Sequence, residues 1–130
     1  MSTTKQKIAL PESNSDTKTY WDSAAQGVLL IKRCKSCDQT YFYPRPLCPF
    51  CMSDDTEWLK TAGKGTVYSY TFAKRGPNFQ IPALITLDEG PAMMSAIVNC
   101  ELADVNIGQR VKVSFVETEG GGALPVFSPE

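Results

Sequence analysis

Cys34-Lys35-Ser36-Cys37 and, after ten intervening residues, Cys48-Pro49-Phe50-Cys51 are the stretches on which the fold of this chain turns. Two cysteines separated by two residues can aim both sulfurs at one point. Two such turns, at the tips of adjacent hairpins, supply four thiolates in a tetrahedron, the arrangement that soft sulfur ligands offer a divalent ion such as zinc. The chain has five cysteines, and four of them fall between positions 34 and 51. In a reducing compartment that clustering points to metal before disulfide.

Zinc is the expected ion, held by Cys34, Cys37, Cys48 and Cys51. A filled shell of four cysteines has no open position, so the metal is expected to be structural rather than hydrolytic. An iron site of the rubredoxin kind, a disulfide and an unmetallated site are the alternatives. Cys48-Pro49-Phe50-Cys51 resembles one rubredoxin knuckle. However, ten residues between the pairs is short for a rubredoxin, and Asp38 and Met52 stand where glycine commonly follows a redox knuckle. A ribbon this small cannot bury enough apolar surface to hold itself together, so metal binding would contribute to folding. Four thiolates and one divalent cation leave a local charge of about −2. Lys32, Arg33, Lys35 and Arg45 lie near in sequence and can offset it, the competing reading being solvated surface residues. Cys100 reads as an inert packing residue at a strand end.

Outward from the cysteines, residues 16–27 read as a short helix. Asp16 is the expected N-cap, Tyr20, Trp21, Ala24, Ala25 and Val28 recur at helical spacing, and Gly27 supplies a left-handed stop. Val28 to Arg33, Tyr41 to Tyr43 and Glu57 to Lys60 read as three short strands of an antiparallel ribbon. Pro44, Pro46 and Pro49 force an extended path into the second cysteine pair. After the turn-rich Thr61 to Gly65 the chain reads as β. Thr66 to Ala73 places Tyr68, Tyr70 and Phe72 on one face at period two. Ala83 to Leu87 and Met93 to Val98 flank the turn Asp88-Glu89-Gly90-Pro91. Arg110 to Val116 and Leu124 to Phe127 complete five strands, interrupted at Leu102 to Gly108. That pattern fits a five-stranded Greek-key barrel of the OB type. The expected fold class is mainly β. It comprises a disordered tail (1–15), an N-terminal helix (16–27), a rubredoxin-like four-cysteine zinc ribbon (28–62) and an OB-fold barrel (63–130).

Composition bounds the function. The chain has 130 residues, 42% hydrophobic and 21% charged, as in an ordinary soluble globular protein. Its net charge is −1 and its pI about 5.5, which disfavours a nucleic-acid binder without excluding a local basic patch. No apolar run approaches the roughly 18–20 residues needed to span a bilayer, and Met1 to Ser15 lacks the apolar core of a signal peptide, so the expected location is cytoplasmic, with no membrane partner. The chain contains no histidine, so no Cys–His or Ser–His–Asp mechanism can be built within it. Lysine-, carboxylate- and tyrosine-based catalysis stay open.

The sequence resembles the zinc-ribbon/OB-fold proteins associated with acyl-CoA metabolism, over about Tyr20 to Phe127. The resemblance rests on Tyr20-Trp21, on Gly27 to Arg33 leading into the first cysteine pair, and on Tyr43-Pro44-Arg45-Pro46-Leu47 leading into the second. It continues through Trp58, Gly63 to Thr71, Leu87-Asp88-Glu89-Gly90-Pro91 and Ile107 to Val111. The resemblance implies a non-catalytic accessory subunit. Its implied partner is a thiolase-like, lipid-transfer-type, hydroxymethylglutaryl-CoA-synthase-like or hydratase enzyme, whose site it completes or whose CoA thioester it helps to hold. The missing histidine suits that role, and the resemblance fixes no catalytic residue.

A CoA needs cations for its phosphates and an apolar groove for its arm. Lys74 and Arg75, with Phe79 after them, form a candidate loop, against the plainer reading of a solvated hairpin. Tyr20, Trp21 and Phe79 are candidate partner contacts, against packing within the chain. Three other functions compete. Tyr68, Tyr70 and Phe72 could stack on bases of a nucleic acid, an iron centre could transfer electrons, and the chain could hydrolyse or build acyl-CoAs unaided.

Overall fold

The computed structural model describes residues 14–72, 81–118 and 121–130. Helix α1 (Lys18–Ala25) is entered through Asn14, whose side-chain oxygen accepts from the backbone N–H groups of Asp16 (2.9 Å) and Thr17 (3.1 Å). Asn14, rather than Asp16, therefore organises the entry, because the chain folds back two residues before the expected cap. The helix ends as its glycine predicts. Gly27 has φ +84°, its N–H donates to the Ala24 carbonyl, and the Val28 N–H donates to that of Ser23. This is the paired closure of a left-handed C-terminal stop. It also holds Val28 out of the strand that follows.

That strand, β1 (Leu30–Cys34), is the centre of a three-stranded antiparallel sheet in the order β2-β1-β3, with β2 at Thr40–Tyr41 and β3 at Thr56–Lys60. Strand β2 is shorter than its aromatic run suggests. Phe42 and Tyr43 leave the ladder and pack edge-to-face against Tyr20 of α1, with ring centroids 5.6 and 5.4 Å away. The Trp21 indole N–H donates to the Tyr43 hydroxyl at 2.8 Å and ties the helix to the ribbon.

The second sheet runs β6-β5-β4-β7-β8, with β4 Lys64–Tyr70, β5 Pro82–Leu87, β6 Ala92–Ala96, β7 Arg110–Glu117 and β8 Ala123–Pro129. All its pairs are antiparallel. A parallel bridge between Ile97 and Phe127 brings the far ends of β6 and β8 together, so the sheet curls into the five-stranded barrel of an OB-fold. A 3₁₀ turn, Leu102–Asp104, sits where the strand pattern breaks.

Strand β4 departs from its period-two reading. A bulge between Val67 and Ser69 shifts the register against β5. Tyr68 is the extra residue and stands 65% exposed on the outside. Beyond the bulge Tyr70 lies opposite buried Ala83, and its hydroxyl donates to the Val105 carbonyl. The inserted residue thus shifts the register of Tyr70 against β5, while Tyr68, Tyr70 and Phe72 all keep exposed surface.

The larger of two core clusters among the described residues joins the parts. Tyr20 from the helix and Leu29 and Ile31 from the ribbon pack in one cluster with Val67, Ile85, Leu87, Val111 and Phe127 of the barrel. The β5–β6 turn adds polar links. The Glu89 carboxylate accepts from the Ala62 N–H at 2.9 Å, and the Thr40 hydroxyl donates to the Glu89 carbonyl at 3.0 Å.

Candidate metal centre

The two cysteine pairs sit on near-identical backbone devices. The Asp38 N–H donates to the Cys34 carbonyl and the Met52 N–H to that of Cys48, both at 2.9 Å. The Cys34 N–H donates to Gln39 and the Cys48 N–H to Ser53, at 2.8 and 2.9 Å. Asp38 and Met52 close the knuckles with φ +65° and +67°, the conformation glycine adopts most cheaply. The ribbon sheet holds the first knuckle at the end of β1, and Tyr41, whose hydroxyl donates to the Arg45 carbonyl, braces the approach to the second.

The four sulfurs lie within 4.8 Å of one another. Cys34 and Cys51 approach to 3.6 Å, as do Cys37 and Cys48. A sulfur tetrahedron around zinc, with bonds of about 2.3 Å, has edges of about 3.8 Å. All five cysteines are free thiols, so the close pairs are not disulfides. Cys34 and Cys48 are buried, Cys37 is half-buried and Cys51 faces solvent.

Electrostatics support a cation here. The Cys37 backbone N–H, pointing at the Cys34 sulfur, leads in bringing that thiol down to about 7. At Cys48 burial pulls upward, but the N–H groups of Cys51 and Phe50 outweigh it and the thiol falls below its ordinary value. Burial drives Cys37 up to about 12. The chain's own dipoles therefore favour ionisation at one cysteine of each knuckle, and a divalent cation supplies the charge that lets all four ionise together. The donor set and its spacing fit a metal-binding site.

Of the four neighbouring basic residues, Arg33, Lys35 and Lys32 have other partners. Arg33 pairs with Glu57 at 2.7 Å and with Asp38, and Lys35 lies 3.6 Å from Asp55. Lys32 lies along β1 with its ammonium 4.6 Å from the Trp58 ring centroid. Carboxylates and an aromatic ring, rather than the thiolates, are their partners in these contacts. Cys100 lines a pocket with Glu101 and Asp104, and burial, aided by both carboxylates, raises its thiol pKa away from the reactive range.

Of the candidate partner contacts, Tyr20 is only 2% exposed and belongs to the core, and Trp21 is half-buried against Tyr43. Lys74, Arg75 and Phe79 lie outside the described residues. The sequence reading missed a groove of about 340 Å³ between ribbon and barrel, with Pro49, Phe50, Pro91 and Ala92 in its lining beside the polar Gln39 and Thr40. Its signal is the Pro49-Phe50 pair of the second knuckle, whose sequence reading concerns backbone path and metal rather than a surface.

Comparison with known families fits this geometry. The rubredoxin-like zinc ribbon domain of ChsH2 matches residues 21–57, and the ChsH2 C-terminal OB-fold domain matches residues 58–116. The chain belongs to the ChsH2 family. Among ChsH2-like proteins, a probable enoyl-CoA hydratase alpha subunit of Thermomonospora curvata is 35% identical over 124 residues, covering 92% of this chain and 39% of the relative. The chain thus spans well under half the length of that relative. A DUF35 domain-containing scaffold protein of Methanocaldococcus jannaschii is 38% identical over 96 residues, 67% of each chain. A solved structure named Ltp2-ChsH2(DUF35) aldolase superposes with TM-score 0.81 at 33% identity, covering 92% of this chain and 98% of that one. Among the described residues no helix is long and apolar enough to cross a membrane.

Proposed function

We propose that this ChsH2-family chain is a non-catalytic accessory subunit of an acyl-CoA-metabolising enzyme, with zinc on Cys34, Cys37, Cys48 and Cys51 as a structural staple. One observation carries the reading. The same ribbon-and-barrel module recurs as 39% of a hydratase alpha subunit and as 98% of a chain in a structure named for an aldolase. A module shared by a hydratase and an aldolase is best understood as serving both chemistries without performing either. The site agrees, because four sulfurs at tetrahedral spacing leave a metal no open position for substrate. A hydratase, a lipid-transfer-type aldolase, a thiolase-like enzyme or a hydroxymethylglutaryl-CoA synthase would supply the reacting groups, with this chain helping to hold the CoA thioester. The reading places the assembly in the cytoplasm.

Nucleic-acid binding draws little from the arrangement. Tyr68 is exposed and could stack on a base, but the outward positions of β5 and β6 carry no cation to meet a phosphate.

The test is an acyl-CoA turnover assay across a size-exclusion profile of the chain purified from its own host. Turnover should follow a fraction heavier than the 14.3 kDa chain and vanish from the chain alone. Turnover by the isolated chain would overturn the reading.

A further inference from the structure

The two knuckles provide an internal control. They share their hydrogen bonds and their positive-φ closing residue, yet corresponding positions differ in kind. Lys35, Ser36 and Asp38 of the first knuckle become Pro49, Phe50 and Met52 of the second. Neither the backbone device nor four sulfur ligands needs apolar side chains there, since the first knuckle does without them. Phe50 is nevertheless 62% and Met52 66% exposed, the latter at a backbone angle that disfavours any side chain. Most of each side chain thus faces solvent.

Apolar residues continue beyond the knuckle, across a groove that Gln39 and Thr40 also line. Pro49 and Phe50 share the groove with Pro91 and Ala92 at the start of β6. From Ala92 the outward face continues to Met94, which is 68% exposed, and to Leu84 opposite it on β5. Tyr68, thrown outward by its bulge, borders the same strands on β4. The outward positions of β5 and β6 carry no charge, whereas β7 exposes Arg110, Lys112 and Glu117. A sheet face meant for water normally alternates polar and charged residues outward. The Glu89–Ala62 and Glu89–Thr40 hydrogen bonds fix the knuckle side of this surface to the barrel side.

We propose that the second knuckle and the outer face of β5–β6 form one docking surface, and that its occupant is the acyl-CoA enzyme subunit, meeting it with an uncharged, apolar patch. The proposal rests on the function proposed above. The matched chain in the structure named Ltp2-ChsH2(DUF35) aldolase is covered over 98% of its length by this fold, so in that structure the ribbon and barrel are what that chain brings to the aldolase. Exposed apolar residues also occur at Leu102 and Ile107, but these stand among Glu101 and Asp104 rather than on a charge-free face.

The experiment places a photo-crosslinking benzoylphenylalanine at Phe50, at Met94 or at Ile107 of the full chain in its own host, and identifies each adduct by mass spectrometry. A Phe50→Lys/Met94→Lys variant runs in parallel. Both positions are exposed, so the variant should keep its fold and its metal content. The proposal expects acyl-CoA enzyme adducts from positions 50 and 94 and none from 107, with the double variant weakening the complex at least tenfold. An acyl-CoA enzyme complex that crosslinks only through position 107 and survives the double variant overturns the surface and leaves the accessory role standing. Adducts to a second copy of this chain, or to a protein of another class, overturn the chosen occupant. If no acyl-CoA enzyme accompanies the chain at all, the accessory role itself fails.

Discussion

Arg110 grips Asp88 at two points, with its terminal nitrogens 2.7 and 2.8 Å from the two carboxylate oxygens. The same guanidinium lies 3.4 Å from Glu130, which Lys64 also approaches to 3.1 Å. The cluster joins the β5–β6 turn to the ends of β4, β7 and β8. Hydrogen bonding to Arg110 holds Asp88 below its usual carboxylate range, and hydrogen bonding to Lys64 does the same for Glu130.

Because both carboxylates are depressed in the folded chain, the unfolded chain takes up protons first as the pH falls. The cluster's contribution is complete above about pH 5, fades below the unfolded values near 4, and is gone below the lower folded values. All four side chains are well exposed, so the effect is small and screened by salt. Melting temperatures of the parent and of Arg110→Gln, taken from pH 6 to 3 at low salt, should converge toward the acid end. Parallel curves would deny the cluster any such role.

Gly65 has no room for a side chain. A β-carbon there would lie 2.6 Å from the Thr86 carbonyl oxygen and 2.8 Å from Ile85. Gly65→Ala must therefore push β4 and β5 apart, and is expected to cost about 1–3 kcal/mol by chemical denaturation. A change within a few tenths would mean that the sheet yields at this point.

Glu89 links barrel to ribbon through the Ala62 N–H, and its other carboxylate oxygen is buried with no hydrogen-bond partner among the described residues. Glu89→Ala removes the acceptor and should lower stability by about 1–2 kcal/mol. Hydrogen exchange should locate the loss at residues 60–63. Unchanged protection there would remove this bond from the joint.

Cys34→Ser and Cys48→Ser each delete a ligand from the buried side of the site. Binding free energies on the order of 10 kcal/mol hold small zinc modules together, so either change should empty the site and unprotect residues 34–56. The barrel core lies in a separate cluster from these sulfurs and should keep more of its protection. A variant that retains metal and ribbon protection would exclude that cysteine as a ligand.

Much of this architecture was legible because its signals are local. Paired cysteines bring their sulfurs together through short turns, Gly27 stops a helix by its own conformation, and alternation in Arg110–Glu117 survives in β7. Readings failed where one residue answered to distant partners. The register of Tyr70 relative to Tyr68 is shifted by a bulge, which alternation cannot reveal. Tyr20, a candidate partner contact whose plainer reading was packing within the chain, is enclosed by ribbon and barrel. The contrast between the two knuckles was present in the tetrapeptides themselves, but it gained meaning only once their backbones were seen to match.

The most direct test is native mass spectrometry of the intact assembly drawn from the chain's own host. The account predicts a complex that, on gentle dissociation, yields an acyl-CoA-metabolising enzyme and this 14.3 kDa chain carrying one zinc. A lone chain without metal, bound to nothing, would contradict it.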